Sequence, residues 1–225
     1  MNTDLRLHSP AAERNREPIA AALSRLLPAQ GLALEIASGT GQHAAYLQAA
    51  LPGWRWQPSD GDVRSLASIS AWCVGCANVL PPLHLDVLAD ARGDARADAC
   101  ADAWAGVPAR VDAVYCANLL HIAPWAACAA LMRGAARHLT APGLLLLYGP
   151  FVVDGEATAP SNVNFDADLR ARDAAWGLRR LADVVEQAAA VGLQLRERVT
   201  MPANNLLLVF DRGRATASLA SADQR

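Results

Sequence analysis

The sequence predicts an α/β fold in which helices cover both faces of a mostly parallel sheet. Apolar runs of strand length alternate with segments of helical periodicity along most of the 225 residues, an order typical of parallel sheets. The end of the chain differs, because only 201-MPAN-204 joins the last two strand-like runs. This connection is too short for a crossover helix. We therefore expect a terminal antiparallel hairpin at the edge of the sheet.

The first 30 residues predict a helical cap. Ser9 followed by Pro10 is typical of a helix start. Pro18 predicts the start of a second helical segment, which ends by Gly31.

The following elements alternate in type. The predicted strands cover 32–37, 54–60, 83–87, 111–121 (a strand running into a loop), 144–151, 193–200 and 205–211. The predicted helices cover 42–51, 62–73, 124–138 and 180–191. Residues 89–106, rich in Ala, Asp and Arg, predict a helix without a site.

The composition predicts one folded domain over residues 1–212, followed by a polar tail over 213–225. Apolar residues make up 53% and charged residues 19%, with a formal net charge of -2. The lack of a basic excess argues against a nucleic-acid partner or an anionic membrane surface. No apolar run is long enough to span a membrane. Because the sequence shows no secretory signal, we expect a cytoplasmic protein. We also expect it to be a monomer or a homodimer. The five scattered cysteines predict free thiols and no metal site.

A glycine-rich hinge lies in 32-LALEIASGTGQHAAYLQAAL-51, where a strand meets a helix. Gly39, Gly41 and Ala44, with Asp60 about twenty residues on, satisfy the dinucleotide fingerprint G-x-G-x-x-A. Three features argue against a dinucleotide: Glu35 inside the strand, polar residues at the ends of the later strands, and the terminal hairpin. The other ligand that such a hinge accommodates is S-adenosylmethionine.

The residues E-I-A-S-G-T-G resemble motif I of the class I S-adenosylmethionine-dependent methyltransferases. Further stretches, which cover most of the chain from about residue 8 to 211, resemble the methyltransferase-like 26 family. They are 9-SPAAERNREPI-19, 34-LEIASGTGQHA-44, 56-WQPSD-60, 165-FDADLRARDAAWGLR-179 and 202-PANN-205. The resemblance implies a Rossmann-like seven-stranded sheet of order 3-2-1-4-5-7-6 with strand 7 antiparallel. It also implies an enzyme whose cofactor is S-adenosyl-L-methionine.

The same resemblance implies the cofactor-binding residues. They are Glu35, Ala37, Ser38, Gly39, Gly41, His43, Asp60, Asp86, Val87 and Asn118. We expect the two glycines to let the backbone approach the cofactor's amino-acid end. Asp60 can accept both ribose hydroxyls, Asp86 and the amide of Val87 fit the adenine, and Asn118 faces the methionine part.

The methyl acceptor is expected to be a small polar, even zwitterionic, molecule. After the fourth strand the chain reads 118-NLLH-121 and lacks the N-P-P-[YF] sequence of enzymes that methylate planar amino groups. Transfer from a sulfonium needs alignment above all, and a base only where the acceptor loses a proton. A lid over 150–177 is expected on the acceptor side. The candidate catalytic residues are His121 and Asp173, and the candidate substrate-binding residues are Arg14, Asn15, Tyr148, Arg172 and Asn204.

Several alternatives remain open at this point. His121 can simply pack against the next loop, and the arginines and acids of 150–177 can form a solvated, salt-bridged face. The whole chain can be a non-catalytic S-adenosylmethionine-binding or interaction module, a protein methyltransferase, or an NAD-dependent oxidoreductase.

Overall fold

The protein is described by a computed structural model over residues 4–90 and 104–213. Most of the predicted helix over 89–106 and of the polar tail lies outside these residues. In the described part of the chain, no helix is long and apolar enough to cross a membrane.

A seven-stranded sheet forms the centre of the described residues. Its strands are β1 Gly31–Ile36, β2 Trp54–Asp60, β3 Leu83–His84, β4 Val111–Ala117, β5 Leu139–Gly149, β6 Gln194–Met201 and β7 Asn205–Asp211. The strand order is β3-β2-β1-β4-β5-β7-β6. The first five strands pair in parallel, whereas β7 is antiparallel to both β5 and β6. The predicted fold class, strand order and terminal hairpin are confirmed.

Helices cover both faces of this sheet. They are α1 Pro10–Leu26, α2 Gln42–Ala50, α3 Val63–Trp72, α4 Val87–Asp90, α5 Ala126–His138, α6 Pro160–Arg172 and α7 Leu181–Ala189. A 3-10 turn, Leu119–His121, follows β4. A separate two-stranded ribbon joins Phe151–Val152 to Arg179–Arg180 and brackets α6.

The core is divided by the sheet into two layers. Leu144 and Leu146 of β5 face the layer that contains α1 and α2, whereas Leu145 and Leu147 face the layer of α5 and α7. Each of these four side chains is buried. A strand that is buried on both faces needs a continuous apolar run, which explains the sequence LLLL in β5.

The N-terminal helix is continuous, so the prediction of two separate segments was wrong. Ser9 caps it, with its hydroxyl accepting the N–H of Ala12 at 3.3 Å. Pro18 lies inside the helix, where it lacks the N–H of one helical hydrogen bond. Ile19, directly after it, and Leu23, about one turn further on, are fully buried in the layer shared with α2. Tertiary packing of this face stabilises the helix across the proline.

Strand β3 is shorter than the predicted 83–87, because it ends at His84. Asp86 is exposed and lies beyond the strand, where its Oδ1 accepts the N–H of Leu88 at 2.9 Å. This carboxylate caps the turn into α4. The chain has therefore already left the sheet when it reaches Asp86.

Candidate cofactor and acceptor site

The carboxyl ends of four neighbouring strands bring most of the predicted site residues to one edge of the sheet. In the parallel register, Glu35 of β1 lies between Pro58 of β2 and Tyr115 of β4, and Ala117 of β4 pairs with Tyr148 of β5. The strand order reverses between β1 and β4, the position at which open α/β sheets bind ligands.

The loop after β1 has three residues with left-handed backbone. They are Ala37 (φ 54°), Gly39 (φ 56°) and Gly41 (φ 89°). A Cβ atom added to Gly39 would meet no atom of the described residues within 4 Å. The backbone at Gly39 is therefore open on this side, and its contact with a cofactor stays a prediction. Ser38 ties the loop to the sheet, with its N–H donating to the carbonyl of Ser59 at 2.9 Å.

Gly41 has a packing role that its place in the motif did not suggest. A Cβ at this position would lie 2.6 Å from the Cα of Ile69 in α3. The absence of a side chain at Gly41 allows the loop to pack against α3. The prediction that Gly41 contacts the cofactor stays a prediction.

Asp60 holds the loop from the end of β2. Its Oδ2 accepts the N–H of Gly39 at 2.8 Å, its Oδ1 accepts the N–H of Asp62 at 2.9 Å, and its side chain is almost completely buried. Each carboxylate oxygen keeps a further lone pair for a ligand hydroxyl. Asp86 lies beside it, since a Cβ on Gly61 would be 3.5 Å from the Cα of Asp86. Val87, which follows, is buried.

Glu35 lies beneath the loop, on the face of the sheet covered by α1 and α2. Its Oε2 accepts the indole N–H of Trp56 at 2.6 Å. Burial raises the pKa of Glu35 to about 8, with Asp60 adding to the rise and the Trp56 hydrogen bond opposing it. Its main-chain carbonyl accepts the hydroxyl of Ser59 at 2.7 Å. Glu35 therefore supports the end of β1, and its carboxyl group is mainly protonated at neutral pH.

His43 connects the glycine loop to α1. Burial lowers its pKa to about 4, so the ring is neutral, and Nε2 donates to Oδ1 of Asn15 at 2.7 Å. On the other side of Asn15 is Tyr148. Burial raises the pKa of Tyr148, while a hydrogen bond from Asn15 and the charge of Arg14 oppose the rise. The phenol stays protonated at neutral pH and can donate a hydrogen bond.

The segment before α1 is tied to the glycine loop by contacts that the sequence did not reveal. The N–H of Leu7 donates to Oγ of Ser68 at 2.8 Å, and that hydroxyl donates to the carbonyl of Thr40 at 2.7 Å. The N–H of Ser9 donates to Oε1 of Gln42 at 2.6 Å. The partners are about 30 to 60 residues apart in the chain, so no local sequence pattern indicates them.

A cavity of about 500 Å³ opens between α1, the ends of β4 and β5, α6 and the turn that joins β6 to β7. We name it the acceptor cavity. Its polar lining comprises Arg14, Asn15, Asn118, Tyr148, Ser161, Asn162 and Asn205. Its apolar lining comprises Ala11, Pro150, Phe165, Pro202 and Ala203. Arg14, Asn15, Asn118 and Tyr148 were predicted from the sequence, as was an acceptor-side segment over 150–177. The structure shows that the first turns of α6 are the helical part of that segment that lines the cavity.

His121, predicted as a candidate base, does not line the acceptor cavity. Its ring is 1% exposed and packs edge-on against Phe151, with ring centroids 5.1 Å apart. Neither ring nitrogen has a hydrogen-bond partner among the described residues. Burial, and then the charge of Arg179, lower its pKa to about 3. The ring is neutral and a weak base in this position.

Three further predicted residues lie outside the lining of the acceptor cavity. Arg172 places its guanidinium 5.0 Å from the ring centre of Trp176. Asp173 ends α6, and its Oδ1 accepts the N–H of Ala175 at 2.8 Å. Asn204 donates to Oγ of Ser161 at 3.2 Å and thereby holds the turn against α6. Arg172 and Asp173 lie outside because α6 directs its first turns, not its last, towards the cavity, whereas the side chain of Asn204 is engaged with Ser161.

Comparisons with known proteins agree with this geometry. A family model described as "Protein of unknown function (DUF938)" matches residues 6–212. The mitomycin 7-O-methyltransferase MmcR is similar with a TM-score of 0.73 and 16% identity, over 90% of this chain and 54% of that one. An O-methyltransferase family protein from Burkholderia thailandensis gives 0.70 and 15%, over 90% and 57%.

A third structure is the O-methyltransferase NcsB1 from neocarzinostatin biosynthesis, in complex with S-adenosylmethionine and 2-hydroxy-5-methyl naphthoic acid. Its TM-score is 0.65 at 17% identity, over 89% of this chain and 54% of that one. The chain thus spans only about half the length of these structures, and at such identities the likeness shows the fold. The chain belongs to the DUF938 family and has the Rossmann-like fold of the class I S-adenosylmethionine-dependent methyltransferases.

Proposed function

We propose that this protein transfers the methyl group of S-adenosyl-L-methionine to a small polar molecule by in-line displacement. One observation carries the proposal. The open backbone at Gly39, held by Asp60, lies on the same sheet edge as Asn118 and the acceptor cavity. A donor site beside an acceptor cavity is what group transfer requires. The NcsB1 structure, which contains S-adenosylmethionine and a small aromatic acid, supports this reading.

The residues of the sheet edge fit the proposed cofactor. Bound S-adenosylmethionine supplies a methyl group that is already activated on a sulfonium. The loop at Gly39 and the first turn of α2 would hold its amino-acid end, Asp60 its ribose, Asp86 and Val87 its adenine, and Asn118 its methionine part.

The chemistry left to the chain is alignment and exclusion of water. Tyr148 can donate a hydrogen bond to the acceptor, and Asn15 keeps the phenol in place through its contacts with His43 and Tyr148. The described lining of the acceptor cavity contains no Asp, Glu or His side chain. We therefore infer that the acceptor arrives with a free lone pair or releases its proton to water. His121, beside Gly149 and Asn118, would then fix the shape of the loop.

Other readings remain testable. Membership of the methyltransferase-like 26 family stays a prediction from the quoted stretches, as do the cytoplasmic location, the monomeric or homodimeric state and the absence of a nucleic-acid or membrane partner. A non-catalytic S-adenosylmethionine-binding module, a protein methyltransferase and an NAD-dependent oxidoreductase are the alternatives.

Calorimetric titration tests the cofactor first. S-adenosylmethionine, S-adenosylhomocysteine and NADH are injected in parallel into the wild-type protein and into Asp62→Asn, a control at an exposed acid beside Asp60. We expect both adenosyl ligands to bind each protein and NADH to give no heat. Binding of NADH alone would refute the proposal in favour of an oxidoreductase. Radiolabelled methyl groups that enter macromolecules of a lysate, but not its small-molecule fraction, would favour a protein methyltransferase.

A further inference from the structure

The charged groups of the acceptor cavity are unevenly distributed. Arg14 is the one charged side chain among the described residues of its lining, and no Asp or Glu balances it there. A zwitterionic acceptor, which the sequence suggested, would find no carboxylate in this lining for its ammonium group. The cavity instead suits a molecule with one negative charge.

Arg14 is also free to bind such a charge. Most neighbouring arginines are paired: Arg16 lies 3.7 Å from Glu13 and stacks on Tyr46, and Arg25 lies 2.6 Å from Glu197. Arg14 has no ion pair or side-chain hydrogen bond with any residue in the described ranges 4–90 and 104–213. Arg14 lies in α1, about one turn after its first residue, Pro10. It is next to Asn15, which is hydrogen-bonded to His43 in the first turn of α2.

The other walls indicate the rest of the molecule. Phe165 of α6 is 39% exposed, an unusual state for an aromatic side chain, and it lines the cavity together with Pro150, Pro202 and Ala203. An apolar wall of this kind binds an apolar or aromatic body. The amides of Asn15 and Asn118 and the phenol of Tyr148 offer uncharged hydrogen bonds near the proposed methyl donor.

We propose that the methyl acceptor is a small carboxylic acid with an apolar body, whose carboxylate pairs with Arg14 while its body packs on Phe165. This inference rests on the proposed function. A single guanidinium matches a single carboxylate in charge and can bind it with two parallel hydrogen bonds. The nucleophilic atom of the acid then lies on the side of the cavity that Asn118 forms with the cofactor edge.

Binding is tested with pairs of probes that differ in charge but hardly in size. The protein, saturated with S-adenosylhomocysteine, is titrated with 4-hydroxybenzoate and 4-hydroxybenzamide, and with indole-3-acetate and indole-3-acetamide. We expect at least one acid to bind roughly tenfold more tightly than its amide, as for a partly exposed charge-assisted pair. Arg14→Gln should remove this preference, and Arg16→Gln, one position outside the cavity lining, should keep it.

Two outcomes would overturn the inference. One is that neither acid binds the wild-type protein better than its amide. The other is that the preference for the acid survives in Arg14→Gln. S-adenosylhomocysteine affinity is measured in every variant and should not change, which shows that the cofactor site and the fold are intact.

Turnover separates this inference from the proposed function. The protein is incubated with S-adenosylmethionine that carries a deuterated methyl group and with a small-molecule cell extract, and the labelled products are identified by mass spectrometry. We expect the parent compounds to bear a carboxyl group, and Arg14→Gln to raise their KM more than it lowers kcat. Labelled products whose parents are neutral or cationic would refute the acid acceptor but keep the methyltransferase. Absence of any labelled product from a protein that binds the cofactor would count against both.

Discussion

Replacing each of the two motif glycines by alanine should affect different properties of the protein, stability at Gly41 and cofactor affinity at Gly39. At Gly41 the new Cβ would lie 2.6 Å from the Cα of Ile69, a backbone atom that cannot rotate away, at a φ of 89°. The left-handed backbone costs roughly 1–2 kcal/mol, and the overlap adds about 1–3 kcal/mol. We expect Gly41→Ala to lose about 2–5 kcal/mol of unfolding free energy. At Gly39 only the backbone cost applies, because its Cβ would enter open space.

Gly39→Ala should weaken cofactor binding more than Gly41→Ala does, the reverse of the order expected for stability. The Cβ of Gly39→Ala would occupy the space that we assign to the cofactor's amino-acid end, so S-adenosylhomocysteine affinity should fall roughly tenfold or more while the fold survives. Urea unfolding at 10 °C, followed by the fluorescence of the buried Trp54 and Trp56, measures stability, and calorimetry measures affinity. The reasoning is refuted if Gly39→Ala proves the less stable variant, or if it binds the ligand as well as the wild type does.

Three further predictions concern the buried ionisable groups. The pKa of Glu35 is about 8 instead of the ordinary 4.5, so the folded state holds a proton that the unfolded state releases. This group therefore lowers stability progressively as pH rises from 4.5 to 8. In Glu35→Gln, the melting temperature measured across this pH range should depend less on pH. Asp60→Asn, which can accept from only one of two N–H groups through its remaining oxygen, should weaken S-adenosylhomocysteine binding by roughly 10- to 100-fold in calorimetry, whereas Asp62→Asn should not. The pKa of His121 is lowered to about 3 from 6.5, so its contribution to stability is lost as pH falls through this range. His121→Leu should be at least as stable as the wild type at pH 7 and should lose less stability in acid. If the variant loses turnover but still binds the cofactor, the assignment of His121 as a packing residue is contradicted.

Structural elements that are specified by sequence patterns only a few residues long could be predicted. The Ser9 cap with Pro10, the hairpin turn at 201–204 and the apolar β5 are each specified by local chemistry. Elements that depend on distant packing were not. Pro18 marks a break in isolation, yet α1 continues because the buried face around Ile19 packs against α2.

The candidate site divides in the same way. Gly39, Asp60 and Asn118 could be predicted because they lie at or just after the ends of strands, and parallel strands present their carboxyl ends at one edge. Arg172 and Asp173 could not be placed, because only the direction of α6 decides which of its turns faces the acceptor cavity.

The sequence by itself therefore determined the fold class, the terminal antiparallel hairpin and the loop that we assign to the cofactor. The strand order followed from the family resemblance. Tertiary structure alone decided that Gly41 packs against Ile69, that His121 is buried, and that Arg14 and Phe165 share one cavity. The physical reason is the separation along the chain of the residues that interact. Caps, turns and strand periodicity depend on neighbours in the chain, whereas the shape and charge of a cavity depend on side chains from α1 and α6 that meet only after the sheet has formed.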